Sequence, residues 1–254
     1  MKSALTIAGS DPTGGAGLQA DIGVFRRLGV HGLSVTAALT AQNTRGVDAI
    51  LGVEAPFIEA QLNSLLNDIR PDALKTGMLY SVAAVNAVVR TIRGFDLENL
   101  VIDPVTISSS GRPLIENGAL EAVKRELFPL ARVITPNIYE ASALSGVNVM
   151  DEQSMEQASI VLSKTGPEAV IITGGHLENE TLDLIYYDGK IYKLRTKKMH
   201  GEFHGTGCTF SAAITAYLAK DSTIIHAAEK AKAFVHDSIV KARSFGKGMK
   251  LLNV

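Results

Sequence analysis

The residues best suited to chemistry fall in one run, His204-Gly205-Thr206-Gly207-Cys208. Phe210, Ile214, Tyr217 and Leu218 follow at helical spacing, so this run opens an amphipathic helix. A helix start leaves backbone N–H groups without partners and carries the positive end of the dipole, and the two together attract an anion. Glycine at 205 and 207 keeps side chains out of the path of a ligand. Cys208 is the only cysteine, and the same field favours its thiolate, which would make it a base or a nucleophile. The other reading is a small residue packed into a helix start, a common place for free cysteine.

More polar candidates sit at the ends of short apolar runs: Asp11, Gln42, Lys75, Asp103, Asn137, Gly174 and Gly175. Gly15-Ala16-Gly17-Leu18-Gln19-Ala20 matches the dinucleotide fingerprint G-x-G-x-x-A between a strand and a helix. That fingerprint needs an acid ending the next strand, and residues 33 to 41 run instead into Gln42-Asn43-Thr44. The turn is therefore read as backbone N–H groups and Asp11 facing a polar ligand. Asn137 and Glu140, three apart at a helix start, either reach one ligand together or form a capping box. Asp21 is expected as an exposed first-turn carboxylate stabilising its helix. His200, Glu202 and His204 have donor types suited to a metal, but Gly201 and the glycines after His204 disfavour a helix, so they are expected as loop histidines and a loop acid.

The elements that must hold these groups alternate. Apolar runs at 4–8, 33–41, 72–75, 99–104, 133–134 and 169–172 read as strands, with helical periodicity over 18–28, 58–66, 82–92, 120–127 and 155–162. Residues 182–187 and 190–194 form a hairpin through Asp188-Gly189, a type I′ signal. Such alternation implies an α/β fold with a mainly parallel central sheet, helices on both faces and ligands at the carboxyl ends of the strands. Residues 1–254 are expected to form a single domain. With 25 basic and 26 acidic residues and a net charge of −1, neither nucleic acid nor a membrane is expected as a partner. One cysteine, a first apolar run too short for a signal peptide and no run of membrane-spanning length lead us to expect a cytoplasmic protein.

The run at Cys208 and residues 8–17 resemble the hydroxymethylpyrimidine and phosphomethylpyrimidine kinases of thiamine biosynthesis, within the ribokinase-like superfamily. Ala41-Gln42-Asn43-Thr44, Lys75-Thr76-Gly77-Met78-Leu79, Ile102-Asp103-Pro104-Val105, Thr135-Pro136-Asn137 with Glu140, and Gly174-Gly175-His176-Leu177 match in order. The resemblance implies a ribokinase-like fold and ATP-dependent phosphorylation of 4-amino-5-hydroxymethyl-2-methylpyrimidine, then of its monophosphate. It implies ATP and Mg2+ as the nucleotide and metal, and a homodimer. Gly205, Thr206, Gly207 and Cys208 would be catalytic, and Gly9, Asp11, Gln42, Met78 and Val105 would meet the substrate. Asn137, Thr173 and Gly175 would face the nucleotide, and Glu140 with Asn137 the metal, in part through water. Lys75 and His176 are expected as supporting groups. Thr106, Ser109 and Thr173 stand where many members have methionine, lysine and lysine, and residues 249–254 replace the usual ending. These departures weaken the second phosphorylation more than the first. The rival readings are a pyridoxal kinase, a cysteine hydrolase using Cys208 with His204 or His176, and a module that binds a pyrimidine phosphate without turning it over.

Overall fold

Adjacent residues of the central strands enter different cores. Val101 and Ile102, Val133 and Ile134, and Ile171 and Ile172 are each divided between two buried clusters. Alternation of side chains along a strand makes that division unavoidable when both faces of a sheet are covered. The computed structural model describes all residues except 109, 110 and 176–179. Its sheet takes β1 (Ser3–Ser10), β2 (His31–Asn43), β3 (Gly46–Gly52), β4 (Ala73–Thr76), β5 (Leu100–Ile102), β6 (Val133–Ile134), β7 (Ala169–Gly174), β8 (Glu180–Tyr187) and β9 (Lys190–Lys197). The order is β3-β2-β1-β4-β5-β6-β7-β8-β9, parallel from β2 to β7 and antiparallel at both edges.

The helices are α1 (Gly17–Arg27), α2 (Ala55–Leu66), α3 (Val82–Gly94), α4 (Ala119–Ala122, continued by a π-helical turn, Val123–Leu127), α5 (Ile138–Ser145), α6 (Glu152–Ser163), α7 (Thr206–Ala219) and α8 (Ile224–Val240). Ile58 and Leu62 of α2, Val85 and Val88 of α3, Leu144 of α5 and Leu162 of α6 join one core. Val24 and Phe25 of α1, Phe210 and Ile214 of α7 and Ala231 of α8 join the other. Removing a central side chain such as Ile134, fully buried, costs about 2–5 kcal/mol when cut to alanine.

Pro104 ends β5 two residues earlier than the apolar run suggests. Asp188 and Gly189 have φ of 50° and 69°, the left-handed pair that a type I′ hairpin requires. Strand β3 lies at the sheet edge with only Val47 buried, and its other apolar residues, Ala49, Ile50 and Leu51, run together without the alternation that announces a strand. A second, two-stranded parallel sheet joins β10 (Phe203–His204) to β11 (Lys250–Leu251). The segment that replaces the usual family ending thus braces the residues just before α7.

Candidate active site

The carboxyl ends of the parallel strands border a cleft with about 1140 Å3 of space. The start of α7 opens onto it. Gly205 is the residue preceding the helix, at φ 86°, and no side chain caps the helix. A Cβ at Gly205 would lie 1.7 Å from the carbonyl oxygen of Gly15, so the position admits glycine alone. Thr206, Gly207 and Cys208 line the cleft. A Cβ at Gly15 would come within 2.6 Å of the His204 ring, and one at Gly17 within 2.4 Å of the Gly9 carbonyl. The glycine turn after β1 therefore serves close packing against the start of α7, which explains its likeness to a dinucleotide fingerprint.

Cys208 departs from the expected thiolate. Burial pushes its thiol up to about 12, with Asp103 and Asp21 pushing the same way, while Lys75 and the N–H of Gly17, which bonds the sulfur, only partly oppose them. Its helix start is outweighed by desolvation.

Asp21 departs further from expectation. It is fully buried, accepts a hydrogen bond from the Thr6 hydroxyl at 2.6 Å, and pairs with Lys75 Nζ at 2.7 Å. Lys75 is also fully buried, 3.8 Å from Asp103 Oδ2. Burial alone would lower its pKa, but Asp21, Cys208 and Asp103 raise it, so it stays charged. Asp103 is raised by burial, which Lys75 and the Ser211 hydroxyl, 3.0 Å away, do not offset. Removing one partner from a pair this deep costs about 3–5 kcal/mol by stranding the other.

His204 is no loop histidine. It lies buried in β10, with Nε2 2.7 Å from Asp11 Oδ2 and 3.0 Å from Gln42 Nε2. Asp11 also accepts from the N–H and hydroxyl of Thr13 and the N–H of Ala16. Burial would raise the Asp11 carboxyl, but His204 and Thr13 outweigh it and hold it below the ordinary range. Gly9, Asp11, Gln42, Met78 and Val105 border the cleft, Met78 and Val105 as part of a small apolar cluster with Ala38, Val47 and Leu114.

Asn137 and Glu140 form the capping box rather than a pair reaching outward. Asn137 Oδ1 accepts from the N–H groups of Tyr139 and Glu140, and Glu140 Oε2 from the N–H of Asn137 at 2.9 Å. Glu140 Oε1 accepts from Thr106 N–H at 3.3 Å. Burial, and after it Asp103, push the Glu140 carboxyl up to about 8, against the pull of those N–H groups. Two carboxyl groups that each resist ionisation are an oxygen-donor set short of positive charge, which fits Mg2+. Among the described residues no group of three or more His, Cys, Asp or Glu side chains could hold a metal, so a cation here would keep several waters. Thr173, paired by its backbone with Pro136, and Gly175 lie across the same cleft.

Sequence reasoning placed Lys75 as a supporting group but missed its pairing with Asp21, 54 residues away, and that of His204 with Asp11, 193 residues away. Ser109 and His176, with the role each was given, lie outside the described residues.

A family model described as phosphomethylpyrimidine kinase matches residues 11–253. The thiamine biosynthesis bifunctional protein ThiED of Geobacter sulfurreducens is 41% identical over 248 residues, covering 97% of this chain and 51% of that protein. A hydroxymethylpyrimidine/phosphomethylpyrimidine kinase of Haemophilus influenzae is 41% identical over 254 residues, covering 98% of this chain and 94% of that one. The chain thus spans about half of the first relative and nearly all of the second. Among solved structures, an ADP complex of Bacillus subtilis pyridoxal kinase superposes with a TM-score of 0.92 at 35% identity, covering 100% of this chain and 97% of that one. The fold is ribokinase-like, as the resemblance implied.

Proposed function

The chain belongs to the phosphomethylpyrimidine kinase family, and we propose that its cleft moves the γ-phosphoryl group of ATP to the hydroxymethyl oxygen of 4-amino-5-hydroxymethyl-2-methylpyrimidine, and then phosphorylates the monophosphate. The observation that carries this reading is the uncapped start of α7 opening onto the cleft beside Cys208. Phosphoryl transfer asks the protein mainly to align reactants and to stabilise charge on the migrating group. The N–H groups at 205–208 do the second task. Gln42 offers a donor and an acceptor to the aminopyrimidine edge, and Met78 and Val105 wall the ring.

Cys208 accepts the proton of the attacking hydroxyl. A sulfhydryl pushed up to about 12 holds its proton in the empty cleft, so that proton must first pass to water, as the charge of Mg2+ would favour, before the sulfur can take the substrate's. Lys75 holds a positive charge on the sulfur's side of the cluster throughout. Glu140, and Asn137 through water, would hold Mg2+, with Asp103 nearby; when bound, the ion draws charge off the phosphate oxygens. Thr173 and Gly175 face the nucleotide. A homodimer is part of the same reading, supported by Leu39 and Leu51, which are exposed and lie opposite each other on the β2–β3 hairpin.

ADP release measured in parallel with hydroxymethylpyrimidine, its monophosphate and pyridoxal tests the proposal. The pyrimidines should be turned over with the larger kcat/KM. A large preference for pyridoxal would favour the second reading, which the structural likeness to a pyridoxal kinase keeps in view. Tight binding of the pyrimidine phosphate with no ADP formed would leave a binding module instead.

A further inference from the structure

We propose that His204 is a positioning residue that locks the Gln42 carboxamide in one orientation, and that this lock sets the preference for an aminopyrimidine over a pyridine aldehyde. The inference rests on the reading of Gln42 as the group that meets the substrate ring. Asp11 takes three other hydrogen bonds and is held ionised, so the His204 ring nitrogen 2.7 Å from its Oδ2 carries a proton. The same ring nitrogen has a donor group, Gln42 Nε2, 3.0 Å away. At the opposite end of the amide, Gln42 Oε1 lies 3.2 Å from the Thr40 hydroxyl. Thr40 donates its single proton to the carbonyl oxygen of Ser10, 2.9 Å away.

Both contacts are resolved by one change, a half-turn of the amide that exchanges Oε1 and Nε2. The carbonyl oxygen then shares the Nε2–H of His204 with Asp11 as a three-centre bond, and the amino group donates to Thr40. Two independent chains of hydrogen bonds, one ending on the Asp11 carboxylate and one on a backbone carbonyl, specify the same orientation. His204 Nδ1 is buried without a partner among the described residues, so the ring bonds into the site through Nε2 alone.

The consequence for recognition is chemical. The pyrimidine carries an amino group, which donates, beside the carbon that bears its hydroxymethyl arm, whereas pyridoxal carries there an aldehyde oxygen, which accepts. An amide free to make a half-turn serves both rings, and a locked one serves the ring that fits its fixed order of donor and acceptor. A residue that merely supported the fold would not separate the two substrates.

The test is steady-state kinetics on the intact enzyme with hydroxymethylpyrimidine and pyridoxal, for wild type, His204→Ala and His204→Gln. For His204→Ala the ratio of kcat/KM, pyrimidine over pyridoxal, should fall about 10- to 100-fold. The change should lie mainly in KM for the pyrimidine, with KM for ATP unmoved. His204→Gln, which restores an N–H donor, should recover part of the ratio. A wild type that leaves hydroxymethylpyrimidine unphosphorylated overturns the reading of the site, and this proposal with it. A wild type that prefers the pyrimidine while His204→Ala keeps the full ratio, or loses both substrates and ATP affinity alike, overturns the proposal alone. Should His204→Ala lose its cooperative melting transition, Thr40→Val releases the other end of the same amide. An unchanged ratio in that variant overturns the proposal too.

Discussion

Two helices begin at the same cleft and begin differently. α5 starts with a capping box, so that Asn137 Oδ1 takes the N–H groups of Tyr139 and Glu140 and Glu140 returns a bond to Asn137. α7 starts at a left-handed glycine with no side chain on its first N–H groups. Satisfying the donors from within stabilises a helix by about 0.5–2 kcal/mol. Leaving them open forgoes that stability and keeps them for a ligand. On the proposed reading, the start of α7 takes charge that arrives with the substrate, and the start of α5 fixes Glu140 in place.

The sharpest way to break this contrast is Gly205→Ala. A methyl group 1.7 Å from the Gly15 carbonyl, at φ 86°, must displace either the glycine turn or the first turn of α7. Loss of even one charge-stabilising donor typically costs about 10²–10³ in kcat. We expect at least that loss in the ADP-release assay, with hydroxymethylpyrimidine still detectable by calorimetry. Activity near wild type would mean that the open helix start is not used.

Next in size, Cys208→Ala should lower kcat by about 10²–10⁴, the range for a general base, with little change in KM. Because burial pushes the free thiol up to about 12, the unliganded enzyme should also react slowly with iodoacetamide at pH 7. Rapid labelling would show a thiolate already formed.

At α5 the expected effects are smaller. Glu140 is pushed up to about 8 in the folded protein without metal, so the folded state keeps a proton that the unfolded chain releases at the ordinary carboxylate value. The resulting stability is full below that ordinary value and is lost as pH rises through about 8. Glu140→Gln should therefore flatten the melting temperature against pH between about 5 and 8, and should raise the Mg2+ concentration needed for half-maximal rate. An unchanged pH profile would place the carboxyl in a less costly setting.

The smallest change is Asn137→Ala, which removes the cap from α5. It should cost about 1 kcal/mol, or about 2–4 °C in Tm for a chain of this size. The Mg2+ requirement should rise modestly through a loosened Glu140. A loss of kcat as large as that of Gly205→Ala would erase the distinction between the two helix starts.

The sequence made the start of α7 legible because everything that defines it is local: glycines, a helical period and one cysteine within 15 residues. The residues that close short apolar runs were legible for the same reason, and all of those named except Gly174 border the cleft. The spacing of Asn137 and Glu140 showed that they share a face, but only coordinates show that backbone N–H groups already occupy them. Asp21 looked like a surface acid because nothing nearby in sequence announces Lys75 or Thr6 as its partners. Cys208 looked reactive because a dipole can be read from a helix start, whereas desolvation depends on what the fold packs above it. Strand β3 went unseen because an edge strand buries little, and its apolar residues at 47 and 49–51 do not alternate.

The most direct measurement is the change in amide 15N–1H chemical shift when the enzyme, with Mg2+, ADP and hydroxymethylpyrimidine bound, receives aluminium fluoride as a mimic of the migrating phosphoryl group. The account predicts that the largest shifts fall on Thr206, Gly207 and Cys208, while Tyr139 and Glu140, whose amides are already bonded to Asn137, move little. Large shifts at 139 and 140 with those at 206–208 unmoved would contradict it.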